Sequence, residues 1–366
     1  MQEDLKNDAQ PGSVLKTHER MAARLPHGVV ERGRMDYVFG PVPSRRLGRS
    51  LGIDPIALKT CNWNCVYCQL GRTAPLTGER GNYTPAGQIV EEVHRALETH
   101  WSGEVDWVTF VGSGEPTLHE SLGWMIRQVK ALTSTPVAVI TNGSLLYRPE
   151  VREELSVADA VLPSLDAGTD SLYRAINRPH PTFTFDRLVD GLAEFRHGYT
   201  GKLWIEVMLV KQLNDNEAAL KDLAAVLSRI EPDEVHISLP LRPPAEPWVE
   251  PADLDGLARA SSILGTIARV LPPIPEGVDL SASEDLVDAV ISVISRHPMG
   301  EEELVRTLEQ WKPADVREIL SRLGVSGRAQ VVTRFGRRFW SASGARYGGG
   351  TAGKKQDPAP KGVPRE

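Results

Sequence analysis

The chain has 366 residues, of which 41% are hydrophobic and 25% are charged, and its formal net charge is -6. This composition is typical of a globular protein that buries a large core and has room for a second small domain. It excludes blanket binding of nucleic acid by overall charge, and no apolar run approaches the roughly 20 residues that cross a bilayer, so no membrane partner is expected.

The two ends of the chain have no periodicity typical of a fold. Residues 1–35 are expected to be irregular or disordered, and residues 347–366, which are rich in glycine, lysine and proline, are expected to be a disordered tail. The opening residues, from Met1 to Lys6, are polar and charged, unlike a secretory signal, which predicts a reducing, cytoplasmic location.

Residues 36–280 contain short apolar, β-branched runs that alternate with amphipathic stretches. This alternation predicts repeated βα units and a parallel sheet. Six runs are nearly continuous in apolar residues, as expected for strands that are buried on both faces. The predicted strands are Ser50–Asp54, Trp107–Gly112, Val137–Thr141, Ala160–Leu165, Leu203–Val210 and Glu234–Leu239.

Two helix starts are visible between these strands. Thr84 is predicted to cap a helix whose first position is Pro85, and Asn216 is predicted to cap the helix Glu217–Ile230. In the second helix, leucine and alanine side chains recur at helical spacing and make one apolar face. Such helices are expected to lie between the strands of the sheet.

The cysteines of the chain are Cys61, Cys65 and Cys68. Thiolates at this CxxxCxxC spacing can bind three irons of a cubane cluster, which leaves the fourth iron open to another ligand. A structural zinc site is the alternative, but such sites are closed by four protein ligands, and no neighbouring Cys or His completes a set. A disulfide would leave one cysteine over. The spacing therefore predicts an iron–sulfur cluster.

A turn of small residues, Gly112, Ser113 and Gly114, leads to Glu115 after the second predicted strand. Its exposed backbone can approach a ligand closely, and the Glu115 carboxylate is suited to accept a hydrogen bond from an ammonium group. The alternative is a turn that only joins a strand to a helix. Its position one βα unit after the cysteines favours a binding role.

Short polar side chains occur at the ends of later strands. Asn142 follows the third predicted strand, and Ser164 and Asp166 lie at the end of the fourth. They are candidates for ligand binding, whereas turn formation and helix capping are equally open. Glu206 lies within the otherwise apolar fifth strand, so its carboxylate is expected to face the mouth of the barrel that βα units form or to find a partner.

Basic residues and one histidine are further candidates. Arg45, Arg46 and Arg49 lie just ahead of the first predicted strand, and their guanidinium groups suit carboxylate or phosphate groups of a substrate, unless they are solvated. His180 lies in a proline-rich loop, where it is either a proton donor or an ordinary loop residue. Lys59, near the first cysteine, is a candidate for acting on the cluster or forming a Schiff base, with a solvated lysine as the alternative.

The periodicity changes in residues 283–346. Three helices, Leu286–Ile294, Glu301–Leu308 and Ala314–Leu323, precede an alternating segment that is expected to turn at Gly336 as a hairpin. This order predicts a winged-helix-like domain, which would grip nucleic acid with its wing or serve as a protein-docking module or lid. The arginines in and near the predicted wing are Arg328, Arg334, Arg337 and Arg338.

The motifs together resemble the radical S-adenosylmethionine (SAM) superfamily. The resemblance is carried by the cysteine spacing, by Tyr67 before the last cysteine, and by a turn similar to the superfamily's GGE motif, with Ser113 replacing the first glycine. It implies an α/β fold with a partial (β/α)6 TIM-like barrel, a [4Fe-4S] cluster on the three cysteines, and SAM on the open iron. The residues implied to bind SAM are Tyr67, Ser113, Gly114, Glu115, Asn142, Ser164, Asp166 and Glu206.

Finer features resemble the wyosine-tRNA-synthase-like branch of this superfamily. Wyosine synthases rebuild a guanine of tRNA with pyruvate, and they carry further cysteines for a second cluster, which this chain lacks. The resemblance therefore implies a single-cluster member and leaves the wyosine reaction open. It rests on the segments Phe39–Gly48, Lys59–Cys61, Gly112–Leu118, Asn177–Pro181 and Pro240–Glu246.

The activity that the resemblance implies is reductive cleavage of SAM to methionine and a 5′-deoxyadenosyl radical, which abstracts hydrogen from a substrate. An electron donor such as flavodoxin or ferredoxin is an implied partner. The substrate is either tRNA or another nucleic acid, or a protein or small metabolite. A different class, suggested by the predicted winged helix, is an iron–sulfur-sensing transcription regulator that binds its operator without cleaving SAM.

Overall fold

The residues described by the computed structural model belong to one compact unit, residues 34–366. The segment 1–35 and most of the tail predicted at 347–366 lie outside the described residues, as does 281–284. Among the described residues, none of the helices has the length and apolar character needed to span a bilayer. The structure describes residues 36–99, 104–272, 278, 280 and 285–348.

An eight-stranded sheet forms the larger part of the described fold, and its strands are hydrogen-bonded in chain order. They are β1 (Val38–Ser44), β2 (Gly48–Ile53), β3 (Trp107–Phe110), β4 (Val137–Thr141), β5 (Ala160–Pro163), β6 (Lys202–Met208), β7 (Glu234–Ser238) and β8 (Ala268–Val270). Strand β1 is antiparallel to β2, whereas each later pair is parallel. The six predicted strands are present as β2 to β7, and the α/β partial-barrel fold is confirmed.

Helices connect the parallel strands, because a parallel pair requires a crossover connection. The side chain of Asn216 accepts a hydrogen bond from the Ala219 N–H at 3.0 Å, so the predicted cap is confirmed. The predicted cap at Thr84 is wrong: its hydroxyl donates to the Pro55 carbonyl at 2.6 Å and ties the helix start to the loop after β2. The helices are α1 (Ala86–Thr99), α2 (Leu122–Leu132), α3 (Pro149–Leu155), α4 (Asp170–Ile176), α5 (Phe185–Gly198), α6 (Glu217–Ile230) and α7 (Leu254–Leu264).

The strands that the sequence did not indicate, β1 and β8, lie at the two edges of the sheet. Strand β1 contains Pro41 and Pro43, which lack the N–H that a central strand needs, so its edge position follows from its composition. Strand β8 has three residues and is largely exposed, so it shows no buried apolar run.

The two faces of the sheet carry separate apolar clusters. Val137 and Val139 of β4 belong to the main core, whereas Ala138 between them joins a small cluster with Leu162 and Trp204. This alternation is the two-residue period of a strand. The face that carries Trp204 on β6 therefore also carries positions 206 and 208, and it lines the interior of the partial barrel.

The C-terminal module, residues 285–348, has a hydrophobic core of its own. The three predicted helices and the hairpin are present, and a two-residue strand adds to the hairpin, giving a three-stranded antiparallel sheet. Assignment of this module to the winged-helix fold stays a prediction. Its elements are α8 (Leu286–Ile294), β9 (Met299–Gly300), α9 (Glu301–Trp311), α10 (Val316–Val325), β10 (Ala329–Arg334) and β11 (Arg337–Ala342).

Buried polar contacts hold the C-terminal module against the barrel. Arg296 pairs with Asp54 at 2.8 Å, and its guanidinium lies 4.9 Å from the ring centroid of Phe39. The Gln69 amide donates to the Arg296 carbonyl at 3.0 Å, and the Tyr347 hydroxyl donates to the Gln69 carbonyl at 2.7 Å. Tyr347, a residue of the predicted tail, is thus bonded to the segment that carries the cysteines.

Candidate active site

The cysteine loop, residues 54–85, connects β2 to α1 and carries Cys61, Cys65 and Cys68 as free, partly buried thiols. The Cys68 N–H donates to the Cys65 carbonyl at 3.1 Å, which winds the segment into a tight turn. Burial raises the pKa of the Cys61 thiol to about 12 and the pKa of the Cys65 thiol well above its ordinary value. Thiolates at this place therefore require a compensating positive charge, which a bound metal cluster supplies.

Lys59 contributes one positive charge beside the cysteines. Its ammonium donates to the Gly71 carbonyl at 2.7 Å and lies 3.2 Å from the Cys68 sulfur. The backbone N–H of Lys59 donates to the Ser113 carbonyl at 2.8 Å. This geometry favours the electrostatic role over a solvated lysine, and the Schiff-base role stays a prediction.

Two amide side chains approach the other sulfurs. Nδ2 of Asn142 lies 4.0 Å from the sulfur of Cys61, and Nδ2 of Asn177 lies 3.8 Å from the sulfur of Cys65. N–H groups directed at ligand sulfurs stabilise thiolates and help to set the potential of an iron–sulfur cluster.

The donor set fits a cubane cluster better than a single metal ion. Among the residues that the structure describes, no three His, Cys, Asp or Glu side chains are arranged to hold one metal ion. Each thiolate of a cubane binds a different iron, so the ligands stand farther apart than those around one zinc. Three thiols with nearby N–H donors, without a fourth protein ligand, fit a [4Fe-4S] cluster with one open iron.

The turn after β3 contacts the start of the cysteine loop. A Cβ added to Gly114 would lie 1.9 Å from the Thr60 carbonyl oxygen, and the Glu115 N–H donates to the same oxygen at 2.9 Å. The Ser113 hydroxyl donates to Asp54 at 2.5 Å. The predicted SAM-binding turn is thus fixed against the loop that carries the cysteines.

Glu115 is buried, and its carboxylate already has several protein donors. Oε1 accepts hydrogen bonds from the N–H and hydroxyl of Thr117 and from the hydroxyl of Thr141, at 2.5 to 3.0 Å. Oε2 accepts from the Asn142 N–H at 2.7 Å. Burial raises the pKa of Glu115, and these hydrogen bonds oppose the rise. The carboxylate therefore fixes Asn142 beside Cys61, and binding an ammonium would be an additional role.

Asp166 joins three segments around Tyr67. Its Oδ2 accepts from the Tyr67 hydroxyl and from the Asn177 amide, each at 2.6 Å, and its Oδ1 accepts from the Met208 N–H at 2.8 Å. Burial raises the pKa of Asp166 to about 6, against the lowering effect of these donors. Asp166 thereby fixes the aromatic ring that lies between the last two cysteines.

Glu206 has an ion-pair partner inside the barrel. It forms an ion pair with Arg46, and both side chains are largely buried. Ser164 forms a β-bridge with Glu206, which extends the pairing of β5 with β6, and no described side-chain hydrogen bond involves Ser164. Glu206 thus faces the barrel interior as expected, and its role in binding SAM stays a prediction.

His180 lies in the loop after α4, beside the cysteine loop. Its backbone N–H donates to the Asn62 carbonyl at 2.8 Å, and its ring nitrogen Nδ1 lies 2.9 Å from the Thr182 hydroxyl. The ring contacts Phe183 edge-on, with centroids 6.1 Å apart. The structure thus places the backbone of His180 against the cysteine loop, its side chain does not line the cavity described next, and its role as a proton donor stays a prediction.

A cavity of about 330 Å³ extends from the cysteine loop into the barrel interior. Tyr67 and Cys68 line it on one side, Glu206 and Met208 of β6 line it on another, and His297 belongs to the C-terminal module that covers it. Its size is at the lower end of the range for small-molecule sites. A substrate in this cavity would lie beside the predicted cluster.

Three contributors to the site were not among the residues that the sequence singled out. Asn177 and Arg242, which lines the cavity, lie in segments that support the wyosine-synthase resemblance, and that resemblance is the sequence feature that points to them. Asp54, which binds both Ser113 and Arg296, lies at the end of a predicted strand, where an acidic residue is commonly part of a turn.

The close approach of Gly114 to Thr60 leads to a prediction for Gly114→Ala. The added methyl group would overlap the Thr60 carbonyl, and we expect a loss of stability of about 1–3 kcal/mol together with weaker SAM binding. The matched control is Gly87→Ala in α1, where the added Cβ meets nothing within 4 Å. Chemical denaturation and SAM titration of both variants test this, and equal behaviour would show that the turn tolerates displacement.

Comparison with known proteins identifies the family. The family model of the radical SAM superfamily matches residues 56–224, which contain all three cysteines and the turn at Glu115. A UPF0026 protein of Methanocaldococcus jannaschii is 33% identical over 281 residues, which are 75% of this chain and 87% of that protein. The chain belongs to the UPF0026 family of radical SAM proteins. The predicted superfamily is thus confirmed.

Other proteins match shorter parts of the chain. A protein of Brachyspira hyodysenteriae named GTPase Obg is 46% identical over 200 residues, and the chain spans only 29% of that protein's length. The probable dual-specificity RNA methyltransferase RlmN of Bifidobacterium adolescentis is 25% identical over 201 residues, half of each chain.

Membership determines the cofactors and the general reaction of this radical SAM protein. Radical SAM enzymes use a [4Fe-4S] cluster and SAM, cleave SAM to a radical, and require a reductant. The cofactor prediction and the prediction that the chain is an enzyme are therefore confirmed. The individual roles of the SAM-binding candidates stay predictions.

Proposed function

We propose that this UPF0026 protein holds one [4Fe-4S] cluster on Cys61, Cys65 and Cys68 and directs the radical formed from SAM to a substrate in the cavity under the C-terminal module. When bound, the reduced cluster supplies an electron to the SAM sulfonium, which yields methionine and the 5′-deoxyadenosyl radical. The observation that carries the proposal is the continuity of the cavity from Cys68 to the barrel interior. The substrate would lie in that space, beside the cofactors.

The chain's own residues position the cofactors in this proposal. Asn142 and Asn177 direct N–H groups at two sulfurs, and Lys59 contributes a positive charge at the third. Asp166 fixes the Tyr67 ring at the cavity wall. Held in this way, the groups need little rearrangement when the cofactors bind, which favours the reacting geometry.

The C-terminal module acts as a lid in this proposal. Its contacts through Arg296, Gln69 and Tyr347 tie it to the cysteine loop, and His297 and Met299 line the cavity. A covered cavity excludes water and protects a reactive radical from side reactions. We propose the lid role, together with a winged-helix-like fold for residues 283–346 and a cytoplasmic location.

The test is SAM cleavage by the anaerobically reconstituted full chain. With dithionite, or with a flavodoxin or ferredoxin and its reductase, we expect methionine and 5′-deoxyadenosine in equal amounts, measured by liquid chromatography and mass spectrometry. Samples without reductant are the control. A chain that carries about four irons and forms neither product would contradict the proposal and favour the Fe–S-sensing regulator.

A nucleic-acid substrate is the second candidate, and the similarity to an RNA methyltransferase favours it. It predicts a tRNA nucleoside whose mass changes when the gene is deleted, so mass spectrometry of tRNA nucleosides from both strains tests it.

Phosphate binding by the predicted wing is disfavoured, because three of its four arginines have partners within the chain. These pairs are Arg328 with Asp288, Arg334 with the Val249 carbonyl, and Arg338 with Glu301.

A further inference from the structure

Three arginines from two distant segments of the chain line the cavity. Arg45 and Arg46 lie in the turn between β1 and β2, and Arg242 lies in the loop after β7. They are close enough that the charges of Arg46 and Arg242 lower the pKa of Arg45. The fold therefore concentrates positive charge at one part of the cavity wall.

The partners of these arginines do not balance their charge. Arg46 is paired with Glu206. Arg45 has no hydrogen bond or ion pair with any described residue, and Nη1 of Arg242 is buried without a hydrogen-bond partner in that same part of the chain. Glu303 is the acidic side chain whose negative charge favours the charged form of Arg242. Two guanidinium groups thus present unused donors.

Burial makes this arrangement costly without a ligand. Burial and the neighbouring arginines lower the pKa of Arg45 to about 10, and burial lowers the pKa of Arg242, yet a guanidinium of this kind is still charged at neutral pH. Burial and the same arginines lower the pKa of His297 to about 3, so His297 is neutral and adds no further charge. An unpaired buried charge is unfavourable unless an opposite charge joins it.

We propose that Arg45, Arg46 and Arg242 form an anion-binding subsite for the carboxylate or phosphate group of a small substrate. Guanidinium groups bind both oxyanions through paired N–H donors, and the bound anion would neutralise the excess charge. A cavity of about 330 Å³ suits a small molecule or one end of it. The proposal rests on the proposed function and adds to it the substrate's class.

The subsite also fixes how the substrate lies. Arg46 contacts the interior face of β6 through Glu206, and Cys68 and Tyr67 also line the same cavity. An anionic group held by the arginines leaves the remainder of the substrate to extend along the cavity toward the cysteine loop. Anchoring one end in this way holds a chosen C–H bond near the radical.

The experiment measures thermal stability of the reconstituted full chain with SAM present. The added probe is inorganic phosphate in one arm, acetate in a second and tRNA in a third, with chloride at equal ionic strength as the reference. An anion that binds the folded chain raises the melting temperature. The variants are Arg45→Met, Arg242→Met and the double variant, and Arg127→Met in α2, an exposed arginine, is the control for the change in net charge.

We expect phosphate, acetate or both to raise the melting temperature of the wild type and of Arg127→Met. The arm that responds identifies the oxyanion. In the double variant, the affinity for that probe should fall about tenfold to a hundredfold, while SAM affinity is retained. Without a probe, Arg242→Met should melt no lower than wild type, because it removes an unpaired buried charge. Arg242→Lys, which keeps the charge, should lower the affinity for the probe less than Arg242→Met does.

Three outcomes would overturn the proposal. The variants could respond to the probe as wild type does, which would place anion binding elsewhere. SAM affinity could fall together with probe affinity, which would assign the arginines to the carboxylate of SAM. Stabilisation by tRNA but by neither small anion would replace the small substrate with a nucleic acid. Failure of the proposed function is a separate result, because it is the absence of SAM cleavage by the wild type.

Discussion

Replacing Cys61, Cys65 or Cys68 by alanine is expected to lower the iron bound after anaerobic reconstitution from about four atoms per chain to near zero. These three are the only cysteines in the chain, so no other thiolate can substitute for a lost ligand. The formation of 5′-deoxyadenosine should disappear with the iron, because the electron reaches SAM only from the cluster. The three variants should therefore be equally inactive.

Iron and sulfide analysis, together with the electron paramagnetic resonance spectrum of the reduced chain, measures this effect. Ser156→Ala, an exposed substitution near the end of α3, is the control and should retain the iron of the wild type. A variant that keeps about four irons would show that its cysteine is not a ligand. About eight irons in the wild type would reveal a second cluster on other ligands.

Glu115→Ala is expected to weaken SAM binding while the cluster still assembles. The substitution removes the acceptor for the Asn142 N–H and for the hydroxyl groups of Thr117 and Thr141, which then remain buried without it. Each unsatisfied donor costs about 1–3 kcal/mol of stability. If the carboxylate also binds the SAM ammonium, SAM affinity should fall by about 1.5–3 kcal/mol, which is about tenfold to a hundredfold.

Calorimetric titration of SAM into iron-loaded protein measures the affinity, and chemical denaturation measures the stability. Glu79→Ala removes an exposed carboxylate from the cysteine loop and should change neither quantity by much. Unchanged SAM affinity in Glu115→Ala, with the iron intact, would limit Glu115 to holding Asn142. Loss of the iron would show that this hydrogen-bond network is needed to assemble the cluster.

The sequence alone determined the parts of this protein that are local in the chain. The cysteines follow one another in one loop, so their spacing was enough to predict a cluster with an open iron. The six central strands are nearly continuous apolar runs, because both of their faces are covered, and this pattern is visible without the fold. The helices and hairpin of residues 285–348 have the periodicity that marks them in any context.

Tertiary structure decided the contacts between distant segments. Tyr67 meets Asp166 across 99 positions, and Arg296 meets Asp54 across 242 positions. The pairing of Arg46 with Glu206, and the approach of Arg242 to Arg45, depend on how the sheet curves and on which face each strand presents. Hydrophobic pattern shows which residues are buried, but a polar residue's partner is set by packing geometry, which no spacing in the sequence encodes.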